Sequence, residues 1–141
     1  MAKPLQVYIV EDSQILQRML ASTIAAAGAE VAGCSGDAEE AIADVFALQP
    51  DVVVIDISLK SGSGFDVLKT LQEHTLVPHA VKLVLSNHVS AEYREVCSLL
   101  GADRFFDKSM ETAQALAFIA AMAARRRSAS PARSSRTLAQ V

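Results

Sequence analysis

The chain of 141 residues (15.0 kDa) is long enough for one domain whose buried core needs neither disulfides nor a structural metal. Hydrophobic residues make up 51% and charged residues 21% of the sequence, which excludes a disordered chain. The apolar runs are too short and too interrupted to cross a bilayer, so we expect no membrane partner. The amino terminus has no hydrophobic signal region, and we therefore expect a cytoplasmic protein.

Strand and helix patterns alternate five times along the chain. Apolar runs predict strands at residues 5–10, 30–34, 51–56, 81–86 and 104–106. Amphipathic spacing and end signals predict helices at residues 13–27, 37–48, 65–73, 91–100 and 110–124, with Asp37 and Glu40 resembling a capping box. This alternation predicts an α/β fold, in which a parallel sheet is covered by helices on both faces.

The carboxyl-terminal segment differs from the rest of the chain in charge. All 16 acidic residues precede Arg125, whereas five of the 13 basic residues lie at or after it. Residues 125–141 combine Arg, Ser, Ala and Pro without apolar periodicity, which predicts a disordered basic tail after a domain of residues 1–124. The tail has no aromatic residues between its arginines, so we do not expect nucleic acid as a specific partner.

The cysteines and histidines lack the spacing of metal ligands. Cys34 and Cys97 form no Cys-x-x-Cys pair, and we expect both to be small buried apolar residues. His74, His79 and His88 show no His-x-x-x-His pattern, which indicates loop or surface positions. A zinc site is therefore not expected.

Two predicted strands end in acidic residues. The strand at residues 5–10 leads into Glu11 and Asp12, and the strand at residues 51–56 ends in Asp56. The carboxyl ends of neighbouring parallel strands meet at one edge of a sheet, so we expect these acids to converge. Like charges about 4 Å apart repel by roughly 4 kcal/mol at an effective dielectric constant near 20, which favours a bound cation. Oxygen ligands without thiol or imidazole indicate Mg²⁺.

Two further strands end in residues that could take part in phosphoryl transfer. Ser86 ends the fourth strand, and Lys108 follows the fifth. A carboxylate oxygen of Asp56 could attack phosphorus, Mg²⁺ could screen the carboxylates, and Lys108 could neutralise the charge that develops. A carboxylate is already ionised at neutral pH, so this chemistry needs no separate base.

At these positions the sequence closely resembles the receiver domain of two-component response regulators, from residue 5 to about residue 124. The acidic pair, the phosphoacceptor aspartate, the hydroxyl residue and the lysine of that family match Glu11 and Asp12, Asp56, Ser86 and Lys108. The resemblance implies a flavodoxin-like, doubly wound (βα)5 sheet of five strands in the order 2-1-3-4-5.

The resemblance also assigns roles to site residues. It implies that Asp12, Asp56 and the backbone carbonyl of Ser58 are Mg²⁺ ligands and that Glu11 acts chiefly through metal-bound water. Asp56 would accept a phosphoryl group from a phosphohistidine on a sensor histidine kinase or a histidine phosphotransfer protein. Phe105 lies at the aromatic switch position, where a ring turns inward when Ser86 moves toward the phosphoryl group.

The sequence shows no second folded module, so we expect output through protein contacts with a downstream partner. A second copy of the chain is one such partner, through the face formed by helix 4, strand 5 and helix 5. The exposed part of the Ala-rich last helix could contribute to such a surface.

Three departures from the family pattern concern the cleft. Lys60 replaces a common proline in the loop after Asp56. Ser109 replaces the proline that commonly follows the lysine through a cis bond, and we expect a trans peptide between Lys108 and Ser109. Asn87, with His88, is larger than the residues that are common after the hydroxyl position and could restrict access to the cleft.

Two other functions remain open from the sequence. The first is a pseudo-receiver that keeps the fold as an interaction module and is never phosphorylated. The second is an aspartyl-phosphate phosphatase of the haloacid dehalogenase type. That class would require a second aspartate two residues after Asp56, and position 58 is a serine.

Overall fold

Five parallel strands form one sheet in the computed structural model, which describes the backbone of residues 3–140 and the side chains of residues 3–128. The strands are β1 (Gln6–Val10), β2 (Glu30–Ser35), β3 (Val52–Ile55), β4 (Val81–Ser86) and β5 (Arg104–Asp107). They lie in the order β2-β1-β3-β4-β5, and each neighbouring pair is parallel. The predicted flavodoxin-like α/β fold with order 2-1-3-4-5 is confirmed.

A helix follows each strand. The helices are α1 (Gln14–Ala26), α2 (Ala38–Leu48), α3 (Gly64–Glu73), α4 (Ala91–Leu99) and α5 (Thr112–Gln140). The first four begin at a capping side chain that accepts a backbone N–H three residues further on: Ser13, Asp37, Ser63 and Ser90. In the described part of the chain, no helix combines the length and the apolar character that a membrane span requires.

The capping box expected at α2 forms only in part. The Asp37 side chain accepts the Glu40 N–H at 3.0 Å, but the Glu40 carboxylate accepts the Ser35 hydroxyl at 2.6 Å instead of returning to the cap. The complete reciprocal box lies at α3, between Ser63 and Asp66. Two reciprocal hydrogen bonds between Ser63 and Asp66 therefore fix the first turn of α3, which comes immediately after the loop that follows Asp56.

The core consists of two apolar layers, one on each face of the sheet. Tyr8 and Val10 of β1 belong to the layer beneath α2, α3 and α4, whereas Val7 and Ile9 belong to the layer beneath α1 and α5. The valines of β3 alternate in the same way. Each fully buried aliphatic side chain contributes about 1.5–3 kcal/mol, so the central strands that carry the acidic residues are firmly held.

Glycine is required where the loops approach the site. A Cβ atom at Gly64 would lie 2.3 Å from the backbone oxygen of Asp56, and one at Gly36 would lie 2.6 Å from Cα of Asp12. Gly64 also donates its N–H to the carbonyl of Ile57 at 2.8 Å. The start of α3 therefore packs directly against the backbone that carries Asp56.

The cysteines differ from expectation in one case. Cys97 is fully buried, as predicted, but the prediction that Cys34 is buried is wrong. Cys34 lies on β2, which is the edge strand of the sheet, and its thiol lies 3.4 Å from the side-chain oxygen of Gln17. The histidines His74, His79 and His88 are exposed, as predicted.

The last helix extends further than the sequence predicts. Its expected end at residue 124 is wrong, because α5 continues to Gln140. Ala and Arg are good helix formers, and Arg126 binds Asp51 at 2.8 Å while Arg127 donates to the carbonyl of Gly28 at 3.3 Å. Side chains beyond residue 128 lie outside the described residues, and the division of the chain into residues 1–124 and a disordered tail of residues 125–141 stays a prediction.

Replacing Gly64 with alanine tests the packing of α3 against the Asp56 backbone. We expect Gly64→Ala to lower the free energy of unfolding by about 1–3 kcal/mol, because the added methyl group must displace backbone atoms. Urea denaturation monitored by circular dichroism measures this change. Lys60→Ala, at an exposed position in the same loop, is the control and should stay within about 0.5 kcal/mol of the wild type. Equal stability of all three proteins would contradict the packing argument.

Candidate functional site

Three carboxylates meet at the carboxyl edge of the sheet. Glu11 and Asp12 follow β1, Asp56 follows β3, and each contributes an oxygen to a group in which all three oxygens lie within 4.8 Å of one another. The convergence arises because β1 and β3 are adjacent, with Val10 paired to Ile55. At such distances each like-charged pair is repulsive by about 4 kcal/mol at an effective dielectric constant of 20. The site therefore requires positive charge.

Lys108 supplies positive charge from the turn after β5. Its Nζ lies 2.5 Å from Oε1 of Glu11 and 3.0 Å from Oδ2 of Asp56. The turn is fixed at both sides: the Lys108 N–H donates to the carbonyl of Ser86 at 2.8 Å, and the Thr112 hydroxyl donates to the carbonyl of Lys108 at 2.5 Å. The ammonium group is thus shared by two carboxylates from different strands.

Burial changes the ionisation of this pair. Burial raises the pKa of Glu11, and hydrogen bonds from Lys108 and from the Ser13 N–H only partly offset that rise. For Lys108, burial lowers the pKa, but the hydrogen bonds and negative charges of Glu11 and Asp56 outweigh it, so the pKa of Lys108 is raised. The ammonium form is therefore the stable one at neutral pH.

The backbone holds the Glu11 carboxylate in place. The Oε2 atom of Glu11 accepts the Ser13 N–H at 3.0 Å. The backbone N–H of Glu11 donates to the carbonyl of Ser35 at 2.9 Å. Gln17 of α1 donates its side-chain amide to the Glu11 carbonyl. Glu11 is 2% exposed and Asp56 is 8% exposed, whereas Asp12 is half-buried. Asp12 is thus the most accessible carboxylate of the three.

The donor set fits a magnesium ion. Carboxylate oxygens are the ligands that Mg²⁺ prefers, and the described residues that form this group include neither thiol nor imidazole. Ser58 lies beside them, with its N–H donating to Oδ1 of Asp56 at 3.3 Å. The backbone carbonyl of Ser58 stays a predicted ligand of the ion.

Ser86 lies at the end of β4, fully buried beside the lysine turn. Its hydroxyl oxygen accepts the N–H of His88 at 3.0 Å, and its carbonyl accepts the N–H of Lys108. Among the described residues, no peptide bond is cis, so the predicted trans bond between Lys108 and Ser109 is confirmed. Serine in place of proline is therefore compatible with a lysine that reaches both carboxylates.

His88 forms a bridge that the sequence analysis did not identify. Its Nε2 lies 3.0 Å from the hydroxyl oxygen of Ser58, and its ring stacks on Tyr93 with centroids 5.1 Å apart. The contact joins the loop after β4 to the loop after β3, beside Asp56. The sequence indicated only that His88 could restrict access, because no local pattern links two residues that are 30 positions apart.

The two phenylalanines of β5 pack on opposite faces of the sheet. Phe105 is half-buried against the layer beneath α2, α3 and α4, and Phe106 packs in the other layer beside Phe118. The guanidinium carbon of Arg94 lies 4.6 Å from the centroid of the Phe105 ring. The predicted switch position is therefore next to α4, and Phe106 does not replace it there.

Comparison with known proteins identifies the family. Residues 7–120 match the family model described as the response regulator receiver domain. The chain belongs to this family. Receiver domains act in two-component signalling and interact with histidine kinases and phosphotransfer proteins, so the predicted class is confirmed at that level.

Individual relatives agree with the family. The receiver domain is 31% identical over 115 residues to the transcriptional activator DevR/DosR of Mycobacterium tuberculosis, covering 79% of this chain and 52% of that protein. It is 35% identical over 81 residues to chemotaxis protein CheY of Thermotoga maritima, covering 57% of this chain and 66% of that protein. The chain thus spans roughly half to two thirds of the length of these curated relatives, and 32% of a protein-glutamate methylesterase from Anaeromyxobacter dehalogenans.

A solved structure shares the fold. The crystal structure of a CheX-CheY-BeF3-Mg+2 complex from Borrelia burgdorferi contains a chain that matches with a TM-score of 0.74 at 23% identity. The match covers 84% of this chain and 89% of that chain. At this identity the likeness establishes the fold alone.

Removing the lysine tests its electrostatic role. We expect Lys108→Ala to lower the free energy of unfolding without Mg²⁺ by about 3 kcal/mol, because Glu11 and Asp56 then lose their shared cation. Mg²⁺ should raise the stability of this variant more than that of the wild type. Urea denaturation with and without Mg²⁺ measures both effects, and Lys69→Ala, an exposed lysine on α3, is the control. Unchanged stability without Mg²⁺ would contradict the role given to Lys108.

Proposed function

We propose that this receiver domain is a phosphorylation-dependent switch whose phosphoacceptor is Asp56. The donor is a phosphohistidine of a sensor histidine kinase or of a histidine phosphotransfer protein. We propose that the transfer takes place in the cytoplasm. The observation that carries the proposal is the position of Asp56 beside two further carboxylates, with Lys108 Nζ 3.0 Å from its Oδ2. This arrangement concentrates a nucleophile, a fixed cation and a set of metal ligands at one edge of the sheet.

The proposed step is a direct transfer. A carboxylate oxygen of Asp56 forms a bond to phosphorus while the phosphorus–nitrogen bond of the donor breaks, and the electron pair leaves on the imidazole nitrogen. Lys108 neutralises charge on the phosphoryl oxygens. Ser86, at the end of β4, donates its O–H to the phosphoryl group, because its present contact, in which its oxygen accepts the His88 N–H, leaves that donor available. No residue of the chain is required as a base, because the carboxylate attacks in its ionised form.

Magnesium fits this chemistry through the residues already described. Asp12, Asp56 and the Ser58 carbonyl would bind the ion directly. Glu11 would act through a water molecule bound to the ion. When bound, the ion supplies charge that screens the carboxylates from the incoming phosphoryl group. The Borrelia burgdorferi complex, whose matching chain shares this fold, contains BeF3 and Mg+2, and this supports magnesium as the ion.

The output is proposed to pass through the surface of the domain. Phosphorylation adds about −1.5 to −2 charge and biases two arrangements of Ser86 and Phe105. Moving such an equilibrium from 1:99 to 99:1 needs about 5.5 kcal/mol of differential stabilisation, which several charge-assisted hydrogen bonds supply. A downstream protein, or a second copy of the chain, would then recognise the face formed by α4, β5 and α5.

Phosphorylation of Asp56 is tested with acetyl phosphate and Mg²⁺. We expect intact-protein mass spectrometry to show a gain of one phosphoryl group in the wild type and none in Asp56→Asn. Asp103→Asn, at an exposed position before β5, is the matched control and should gain the group normally. If neither acetyl phosphate nor a phosphorylated histidine kinase modifies the wild type, the domain is a pseudo-receiver interaction module. Repeated turnover of small phosphomonoesters would instead indicate a phosphatase.

The His88 bridge predicts control of access to Asp56. We expect His88→Ala to raise both the phosphorylation rate with acetyl phosphate and the rate of loss of the phosphoryl group by about two- to tenfold, the range that one net hydrogen bond spans. Time-resolved mass spectrometry measures both rates. Ser58→Ala removes the hydrogen bond but keeps the stacked ring, so it should produce a smaller change. Rates below those of the wild type in His88→Ala would show that the imidazole assists the reaction.

A further inference from the structure

Arg94 connects two parts of the molecule that the proposed switch must move together. It lies on α4, with its guanidinium carbon 4.6 Å from the centroid of Phe105. Its NH2 nitrogen lies 3.8 Å from Oε1 of Glu111, which precedes α5. A cation above an aromatic face is attracted by the ring, so the guanidinium covers the Phe105 ring while it is tied to Glu111.

Glu111 also binds the backbone of the turn that carries Lys108. The same Oε1 atom accepts the N–H of Asp107 at 2.8 Å, and the Glu111 N–H donates to the carbonyl of Asp107 at 2.6 Å. Asp107 immediately precedes Lys108 in the chain. One carboxylate oxygen therefore contacts both the lysine turn and the guanidinium that covers Phe105.

We propose that Arg94 and Glu111 are positioning residues that couple the Lys108 turn to the Phe105 ring. The inference rests on the proposed phosphorylation switch and adds the connection between its two ends. When Lys108 moves toward a phosphoryl group on Asp56, Asp107 moves with it and weakens the hold of Glu111 on Arg94. The guanidinium then leaves the ring face, and Phe105 is free to turn.

The Arg94 contacts are weak enough to be broken when the domain switches. Arg94 and Glu111 are 44% and 38% exposed in their side chains, so their ion pair alone contributes little. An exposed cation–π contact changes an equilibrium by about two- to fivefold. Removing Arg94 should therefore change the population of Phe105 orientations by that factor without unfolding the domain.

The orientation of the ring can be measured directly. Fluorine NMR of protein containing fluorophenylalanine reports each ring, and the Phe105 resonance is assigned by its loss in Phe105→Leu. We expect the Phe105 resonance of Arg94→Gln, without phosphoryl analogue, to shift toward its position in wild type saturated with Mg²⁺ and beryllofluoride. Glu111→Gln should produce the same direction of shift, and Arg94→Lys, which keeps a cation, should restore part of the wild-type position.

A second arginine provides a matched control. Arg104 makes the corresponding contact on the opposite face of the sheet, with its guanidinium carbon 5.2 Å from the centroid of Phe118. Among the described residues, Glu111 forms its ion pair with Arg94 and not with Arg104. Arg104→Gln should leave the Phe105 resonance unchanged. Circular dichroism melting of every variant establishes that each one folds.

The outcomes separate this inference from the proposed function. A Phe105 resonance that is unchanged in Arg94→Gln and Glu111→Gln would overturn the coupling, even if Asp56 is phosphorylated normally. A double-mutant comparison in which the two effects add independently would also overturn it, because coupled residues must show a non-additive shift. A wild type that binds no beryllofluoride and gains no phosphoryl group would overturn the proposed switch. In that case, a difference in the Phe105 resonance between unmodified wild type and unmodified Arg94→Gln would still show that Arg94 holds the ring.

Discussion

Two buried carboxylates at the carboxyl edge of the sheet require a cation, and among the described residues the Lys108 ammonium group supplies it. Glu11 and Asp56 are 2% and 8% exposed, and an unpaired ionised carboxylate at that depth costs several kcal/mol. Lys108 follows β5, which is two strands away from β3, or about 10 Å at the usual spacing of parallel strands. A long cationic side chain is therefore needed to span that distance. The sheet order and the hydrogen bonds that fix the lysine turn to Ser86 and Thr112 therefore determine whether the site can hold its charges.

The same contact makes the site sensitive to charge at Asp56. Lys108 shares its ammonium group between Glu11 and Asp56, so a phosphoryl group on Asp56 would draw it away from Glu11. The backbone of Lys108 is bonded to the carbonyl of Ser86, and a movement of the lysine therefore acts on β4 as well as on β5. Under the proposed function, the electrostatic requirement of the folded state and the response to phosphorylation depend on one ammonium group.

The sequence predicted those features that depend on regular patterns. Apolar runs that end in Glu11 and Asp56 predicted the acidic cluster, and the alternation of strands and helices predicted the fold class; the strand order came from the family resemblance. The remaining features depend on side chains that meet across long separations. The pairing of His88 with Ser58 spans 30 positions, and the contact of Arg127 with Gly28 spans 99. Exposure of Cys34 followed from its edge strand, which hydropathy alone does not identify.

The two rings of β5 show why the signal would leave the site toward α4. Alternation along the strand places Phe105 and Phe106 on opposite faces, and each face has an arginine above a ring: Arg94 over Phe105 and Arg104 over Phe118. The two contacts are chemically alike, but of the two arginines only Arg94 is paired with Glu111, which also binds the backbone beside Lys108. A displacement of that turn therefore has a short chain of polar contacts to Phe105 and none of this kind to Phe118 among the described residues. The asymmetry lies in one carboxylate oxygen of Glu111, and it would direct the change at Asp56 to the α4 side of the domain.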